Sequence, residues 1–136
     1  MYIDLAELVT SAISHIGRED ILQNNKIDNH SAITISLHEM PDINIFTVDE
    51  MPMIWSVLSP KDELNTALHS EIILSKLMDN TNQYFYFGQP ALLNINDYIE
   101  LRAVFSPFAL KNGESTADAI NTFVSFMSKI INLCKQ

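Results

Sequence analysis

The strongest constraint on the fold is an alternation of apolar and polar residues that begins at Ile33. Residues 33–37 read Ile-Thr-Ile-Ser-Leu, and a period of two is typical of a strand with one apolar face and one polar face. Ile43 and Ile45 repeat the alternation after a short connection that contains Pro41. We interpret the segment as two neighbouring antiparallel strands, entered through a polar turn at 28–31.

Three more stretches predict further strands in the same sheet. Residues 53–58 form a third alternating run, joined to the second strand by a connection at 47–52. Residues 83–105 favour two more strands, the earlier one within 83–95 and the later one at 98–105. Asn96-Asp97, a pair that favours a tight turn, separates them. The aromatic segment 84–87 and the Gly88-Gln89-Pro90 interruption lie within the earlier stretch, and they leave the register of the fourth strand open.

Three amphipathic helices complete the pattern. The first runs from Asp4 to Ile16, with Asp4 as its N-cap and Gly17 as its stop. The second is predicted to begin at Ser59 and Pro60, a typical N-cap and first-turn pair, and to run to about Met78. The third is predicted to begin at a capping box at Ser115 and to carry a single apolar stripe as far as Cys134.

The predicted fold class is therefore α+β. Residues 1–136 form one domain with the order α-β-β-β-α-β-β-α, a twisted antiparallel sheet and three helices. The second helix stands out because its apolar residues cover more than one stripe. Such a helix needs two surfaces to bury against, which are its own sheet and a second copy of the chain, or else one deep core that surrounds it.

Composition excludes several classes of function. The formal net charge is −9, and no cluster of lysine or arginine concentrates positive charge, so we expect no nucleic-acid partner. No stretch approaches the roughly 20 apolar residues of a membrane span, and Met1 is not followed by an address signal. We therefore expect a cytoplasmic protein without membrane insertion. The one cysteine, Cys134, excludes an internal disulfide.

The residues that carry catalytic or metal chemistry are present without the required spacing. Three glycines form no phosphate-binding motif, and the four histidines are scattered. Pairs such as His38-Glu39 lack the spacing of a metal site, and serines beside histidines lack the strand, glycine and helix context of a nucleophile. We expect no catalytic residue, no metal and no cofactor.

Several of these residues resemble a known family. The chain resembles the class I type III secretion chaperones of the invasion-protein-B or SpaK type. The similar residues are the run 4–9 (Asp-Leu-Ala-Glu-Leu-Val), the run 28–37 (Asp-Asn-His-Ser-Ala-Ile-Thr-Ile-Ser-Leu), the Pro41-x-Ile43-x-Ile45 segment and Trp55. The similarity covers the N-terminal half and continues in element order to the last helix. The match between residues 83 and 110 is loose.

The resemblance implies a small acidic homodimer in the bacterial cytoplasm. Such chaperones bind the N-terminal segment of effector proteins, keep it non-globular and secretion-competent, and present it to the secretion apparatus, so the secretion ATPase or sorting apparatus is a further partner to consider. They are not enzymes. The family commonly dimerises through its second helix, which makes Leu64, Leu68, Ile72 and Leu74 the candidate dimer contacts in this chain.

The candidate effector-binding groove lies where the first helix meets the first three strands. Its candidate residues are Leu5, Leu8, Ile33, Ile35, Ile45 and Trp55, all of which are equally compatible with a core role. Two other functions stay open. One is a small-molecule-binding or enzymatic α+β domain that uses the aromatic segment 84–87 as a pocket wall, and the other is a subunit of a larger complex.

Overall fold

The computed structural model describes residues 4–16, 32–60, 63 and 67–135. Within these residues the predicted α+β order is confirmed. The elements are α1 (Leu5–Ile16), β1 (Ile33–Leu37), β2 (Met40–Val48), β3 (Met51–Pro60), α2 (Ser70–Asp79), β4 (Ala91–Ile95), β5 (Tyr98–Val104) and α3 (Gly113–Cys134). The predicted turn at 28–31 and the predicted stop at Gly17 lie outside the described residues.

All five strands form one antiparallel sheet with the order β1-β2-β3-β5-β4. The turns within its hairpins are short. Asp49-Glu50 joins β2 to β3 and Asn96-Asp97 joins β4 to β5, with positive φ at all four residues. Two consecutive residues with positive φ are the backbone of a hairpin turn whose twist matches that of the strands. The second hairpin is the one predicted from Asn96-Asp97. The connection predicted at 47–52 consists of only two residues, Asp49 and Glu50, because the strands on either side extend further than predicted.

One face of the sheet forms the core with α1 and α3. The register aligns Ile33 with Ile45, Ile45 with Ile54, and Ile54 with Ala103, so the apolar positions of four strands fall in one row across the sheet. These residues are buried in a single cluster that also contains Val9, Ala12 and Ile13 of α1 and Ile120, Phe123, Met127 and Ile130 of α3. The apolar residues of the alternating pattern that predicted β1 and β2 therefore face this core.

Helices α1 and α3 lie against each other. A Cβ atom built on Gly113 would overlap the side chain of Ser11, so only glycine permits this approach. The cap of α1 is the predicted one, because Asp4 Oδ1 accepts a hydrogen bond from Glu7 N at 3.0 Å. The cap of α3 differs from the prediction. Asn112, with an extended backbone, accepts from Ser115 N at 2.8 Å, which leaves Ser115 inside the first turn.

The predicted start of the second helix at Ser59 and Pro60 is wrong. Both residues lie in β3, where Ser59 is opposite Ile99 and Pro60 is opposite Tyr98. The strand has a register shift between Val57 and Ser59, and proline is tolerated at such a strand end because the ladder needs no N–H donor there. Helix α2 begins only at Ser70. The aromatic segment 84–87 forms no strand, since Phe85 makes one isolated bridge to Phe105.

Candidate binding surfaces

Helix α2 exposes most of its apolar side chains. Leu68, in the turn before the helix, is 74% exposed, and Met78 in its last turn is 72% exposed. Ile72 and Leu74 are also exposed, while Ile73 is buried and Leu77 packs against the core. The helix therefore contacts the core along one narrow side and presents apolar residues on its other sides. Among the candidate dimer contacts, Leu68, Ile72 and Leu74 lie on this surface, and Leu64 lies outside the described residues.

A cavity of about 470 Å³ adjoins the end of α2. Its walls are the last turn of the helix and the loops on either side of the aromatic segment, namely Leu77, Met78, Asn80, Thr81, Asn82, Tyr86, Phe87, Gly88 and Gln89. Phe87 is fully exposed. An exposed phenylalanine next to an apolar cavity has the character of a contact site rather than of ordinary surface.

Hydrogen bonds to the backbone hold the loop of this cavity in place. Asn82 Oδ1 accepts from the backbone N–H groups of Tyr84 and Phe85 at 3.0 and 3.1 Å. Gln89 Oε1 accepts from Val104 N at 2.6 Å, and Ser106 Oγ donates to the Gln83 carbonyl at 2.5 Å. The loop is therefore tied to β5 and to the segment that follows it, while the Phe87 side chain remains exposed.

The outer face of the sheet, opposite the core, carries a mixed surface. Trp55 and Arg102 are opposite each other on β3 and β5, and the guanidinium carbon of Arg102 lies 5.4 Å from the Trp55 ring centroid. Arg102 Nη2 is also 2.8 Å from Glu100 Oε2. Exposed Val57, Leu93, Ile95 and Tyr98 surround this group.

The six candidate effector-binding residues do not form one surface. Leu5, Ile33, Ile35 and Ile45 are buried in the core, where their alternation serves the packing of the sheet on the helices. Leu8 on α1 is partly exposed. Trp55 is also partly exposed, but strand alternation places it on the outer face, away from Ile45 and Ile54. Effector contact by any of the six stays a prediction.

Two features of the surface were not found from the sequence. Glu100 looked like an ordinary polar position of an alternating strand, yet it is buried. Phe87 looked like part of a strand, yet it is exposed in a loop. The sequence does contain a signal for the pairing of Glu100. The run 98–104 has two charged residues of opposite sign two positions apart, and such residues share one face of a strand.

Other site chemistry is sparse in the part of the chain that the structure describes. No group of three histidine, cysteine, aspartate or glutamate side chains there could hold a metal ion. Burial raises the pKa of the Cys134 thiol, which disfavours the reactive thiolate. In those same ranges, no helix has the length and hydropathy needed to span a bilayer.

Comparison with known proteins identifies the family. The model of the invasion protein B family matches residues 17–96. The chain is 30% identical over 126 residues to the surface presentation of antigens protein SpaK of Salmonella typhimurium, and the match covers 93% of this chain and 92% of the relative. The SpaK protein of Salmonella typhi is similar to the same extent. The chain therefore belongs to the invasion protein B family, a type III secretion-related family, as the resemblance predicted.

Proposed function

We propose that this protein is a type III secretion chaperone that binds the N-terminal segment of effector proteins. It keeps that segment non-globular and secretion-competent and promotes its delivery to the secretion apparatus. The observation that carries the proposal, beside family membership, is the amount of large apolar side chain left exposed on α2, on the loop at Phe87 and on the outer face of the sheet. Exposed large apolar side chains that are grouped on a surface mark interaction sites, and another polypeptide is one of the partners that such sites bind.

The energetics of such binding favour a large apolar surface. An effector segment arrives disordered, so ordering it costs conformational entropy that many contacts must offset. Among the described residues, β1 and β4 are the edge strands of the sheet, and an edge strand can offer backbone hydrogen bonds to an extended chain. Apolar side chains beside these edges supply the contact area. The protein needs no bond-making step, so the proposal includes neither an enzymatic activity nor a cofactor.

The proposal includes a homodimer formed through α2. Ile72 and Leu74 are exposed in the single chain although they are large and apolar, and a second copy of the same helix would remove them from water. Leu68 belongs to the same surface, and the sequence adds Leu64. Burial of a large aliphatic side chain contributes roughly 1.5–3 kcal/mol, so a few such residues from each copy are enough to offset much of the cost of association.

The location and the further partners follow from the same proposal. Effectors are loaded before export, so the protein acts in the bacterial cytoplasm. The secretion ATPase or sorting apparatus is the expected receiver of the complex. The acidic surface, with its net charge of −9, favours basic or neutral partners over nucleic acids.

Affinity purification of the tagged protein from its native bacterium tests the function. We expect the N-terminal region of a secreted protein to co-purify with two copies of this chain, as measured by mass spectrometry and light scattering. That region should be protease-sensitive when released and protected when bound. Failure of every effector of the host system to form a soluble complex on co-expression would contradict the proposal.

The cavity beside Phe87 favours a second candidate function, the binding of a small molecule. Tyr86 and Phe87 do form one wall of this cavity, as a pocket built on the aromatic segment requires. A metabolite that raises the melting temperature of the wild type but not of a Phe87→Ala variant would favour this function. Equal shifts in both proteins, or none, would leave the chaperone as the better proposal.

A further inference from the structure

A buried carboxylate lies on the outer face of the sheet. Glu100 in β5 is only 5% exposed, and its strand neighbours are Val57 on β3 and Leu93 on β4. A glutamate between two apolar residues is unusual, because a carboxylate removed from water needs a cation or hydrogen-bond donors to compensate for lost hydration.

Among the described residues, the charge of Glu100 is compensated from one side only. Glu100 Oε2 lies 2.8 Å from Arg102 Nη2, and Arg102 is itself held beside the Trp55 ring. Glu100 Oε2 has no hydrogen-bond partner among the described residues, so the two groups form an ion pair without the parallel hydrogen bonds of the strongest arginine–carboxylate geometry. Arg102 Nε is buried and has no acceptor among the described residues. Arg102 therefore covers Glu100 from the C-terminal direction of β5 with a single close approach.

The opposite side of Glu100 opens into a cavity of about 380 Å³. Its walls are Val57, Ile95, Asn96 and Tyr98, together with Glu100. Among the described residues, these walls contain one carboxylate and no cationic side chain. Asp97, in the adjacent hairpin turn, is exposed and adds a second negative charge near the rim. The cavity is therefore apolar at its sides and negative at its base.

We propose that this cavity receives a lysine or arginine side chain of the bound effector segment. The inference rests on the proposed chaperone function and names a feature of its substrate. The aliphatic stem of either side chain would pack on Val57 and Ile95, as amphipathic side chains do on apolar surfaces. Its cation would reach Glu100 from the side that Arg102 leaves open, beside the ring of Tyr98.

Charge selects this occupant over the alternatives. An acidic side chain would face Glu100 and Asp97 at close range, and a purely apolar side chain would remove the remaining water from a carboxylate without replacing it. A cation with an apolar stem satisfies both parts of the cavity. The effector segments of this protein should therefore contain a basic residue flanked by apolar ones.

Titration with two matched probes tests the cavity without any effector. N-acetyl-lysine methylamide carries the stem and the cation, while N-acetyl-norleucine methylamide carries the stem alone. In NMR spectra of the full chain we expect saturable shifts at Val57, Ile95 and Tyr98 with the lysine probe. The affinity of the Glu100→Gln variant for the lysine probe should be roughly tenfold lower than that of the wild type, because a charge-assisted contact is lost. Equal shifts with both probes, or none with lysine, would overturn the proposal.

Effector binding provides the second test and separates this inference from the proposed function. With an effector segment identified by co-purification, we expect Tyr98→Ala and Glu100→Gln each to weaken binding. Glu114→Gln, the same change at an exposed position of α3, should leave binding unchanged. Full affinity of both cavity variants for the effector would overturn the inference while leaving the chaperone function intact. Weaker self-association of Glu100→Gln with unchanged effector and lysine binding would assign the cavity to a second copy, and would also overturn it.

Discussion

Helices α2 and α3 are both rich in apolar residues, yet they bury them very differently. Helix α3 buries one continuous stripe, which includes Phe123, Met127 and Ile130. Helix α2 buries Ile73 alone, although Ile72, Leu74 and Met78 are no less apolar. The comparison shows that an apolar residue in a helix favours burial, but its sequence position does not reveal which surface will cover it. That surface depends on where the helix lies in the fold.

The placement of each helix explains the difference. Helix α3 packs against α1 and shares the core with the sheet, and Phe123 meets Phe85 edge to face with ring centroids 6.3 Å apart. Helix α2 follows the long strand β3 and contacts the remainder of the chain mainly through Ile73 and Leu77. One helix is therefore part of the core of a single chain. The apolar side chains of the other helix are exposed in the single chain, and the proposed dimer would cover them.

Removal of a core ring from α3 should have the largest effect on stability. We expect Phe123→Ala to lower the free energy of unfolding by about 3–5 kcal/mol, because it leaves a cavity in a fully packed core. Phe87→Ala is the matched control on the exposed side and should change the monomer by less than about 0.5 kcal/mol. Urea denaturation at low protein concentration measures both. A comparable loss in the two variants would contradict the buried-versus-exposed distinction.

A charge on the exposed side of α2 should act on association rather than on folding. We expect Ile72→Asp, like Leu68→Asp, to weaken the proposed dimer by about 3 kcal/mol, because the carboxylate would lose water in the contact. Light scattering over a dilution series measures it. Ser14→Asp adds the same charge to an exposed polar position of α1, away from this surface, and is the control. An unchanged dimer in both apolar variants would place the interface elsewhere.

A buried hydroxyl at the start of α3 provides a smaller effect. Thr116 Oγ1 donates to the Ala109 carbonyl at 2.8 Å and is fully buried. Thr116→Val keeps the shape but leaves that carbonyl without its donor, so we expect a loss of about 1–3 kcal/mol. Thr122→Val removes a similar bond, to the Asp118 carbonyl, at the exposed surface of the same helix and should cost much less. Thermal unfolding of the pair would show whether burial sets the cost.

The two possible caps of α3 can be separated by mutation. We expect Asn112→Ala to destabilise the protein by about 1 kcal/mol, because it removes the acceptor for Ser115 N. Ser115→Ala should cost less, since the helix has already begun at that position. If chemical denaturation showed the larger loss for Ser115→Ala, the cap predicted from the sequence would be the correct one.

The smallest expected effect is a dependence of stability on alkaline pH at the end of α3. Burial raises the pKa of the Cys134 thiol above the ordinary 9.0, so the folded state holds this proton more tightly than the unfolded state does. Its contribution is therefore complete below the ordinary thiol pKa and declines as pH rises through the folded value. Denaturation of the wild type and Cys134→Ala between neutral and alkaline pH should show an extra decline in the wild type. If the stability of the two proteins changed with pH in the same way, the proposed contribution of the buried thiol would be contradicted.

Much of the fold could be predicted because it is encoded locally. The alternation at 33–37 and the Asn96-Asp97 turn depend on neighbours in sequence, as does the Asp4 cap, and all three are confirmed. The Ser59-Pro60 helix start was wrong because pairing with β5, distant in sequence, extends β3 through these residues. Local propensity is overridden where a tertiary ladder satisfies the backbone.

The candidate sites were harder to predict for the same reason. Ile33 and Ile45 could be recognised as apolar from their letters alone, but only the assembled sheet shows that they face α1 and α3. The burial of Glu100 depends on Val57 and Leu93, which come from two other strands. A surface is a property of the assembled chain, so sequence patterns identify its elements before they identify its sites.

The close approach of Ser11 to Gly113 has a consequence for biosynthesis. It joins the first helix of the chain to the last one, so the flank of α1 that faces α3 stays uncovered on the ribosome until the C-terminal helix emerges. The hairpin of β2 and β3 needs only neighbouring residues and can form earlier. A chain that stops before α3 would therefore display the strands of the protein together with an open core.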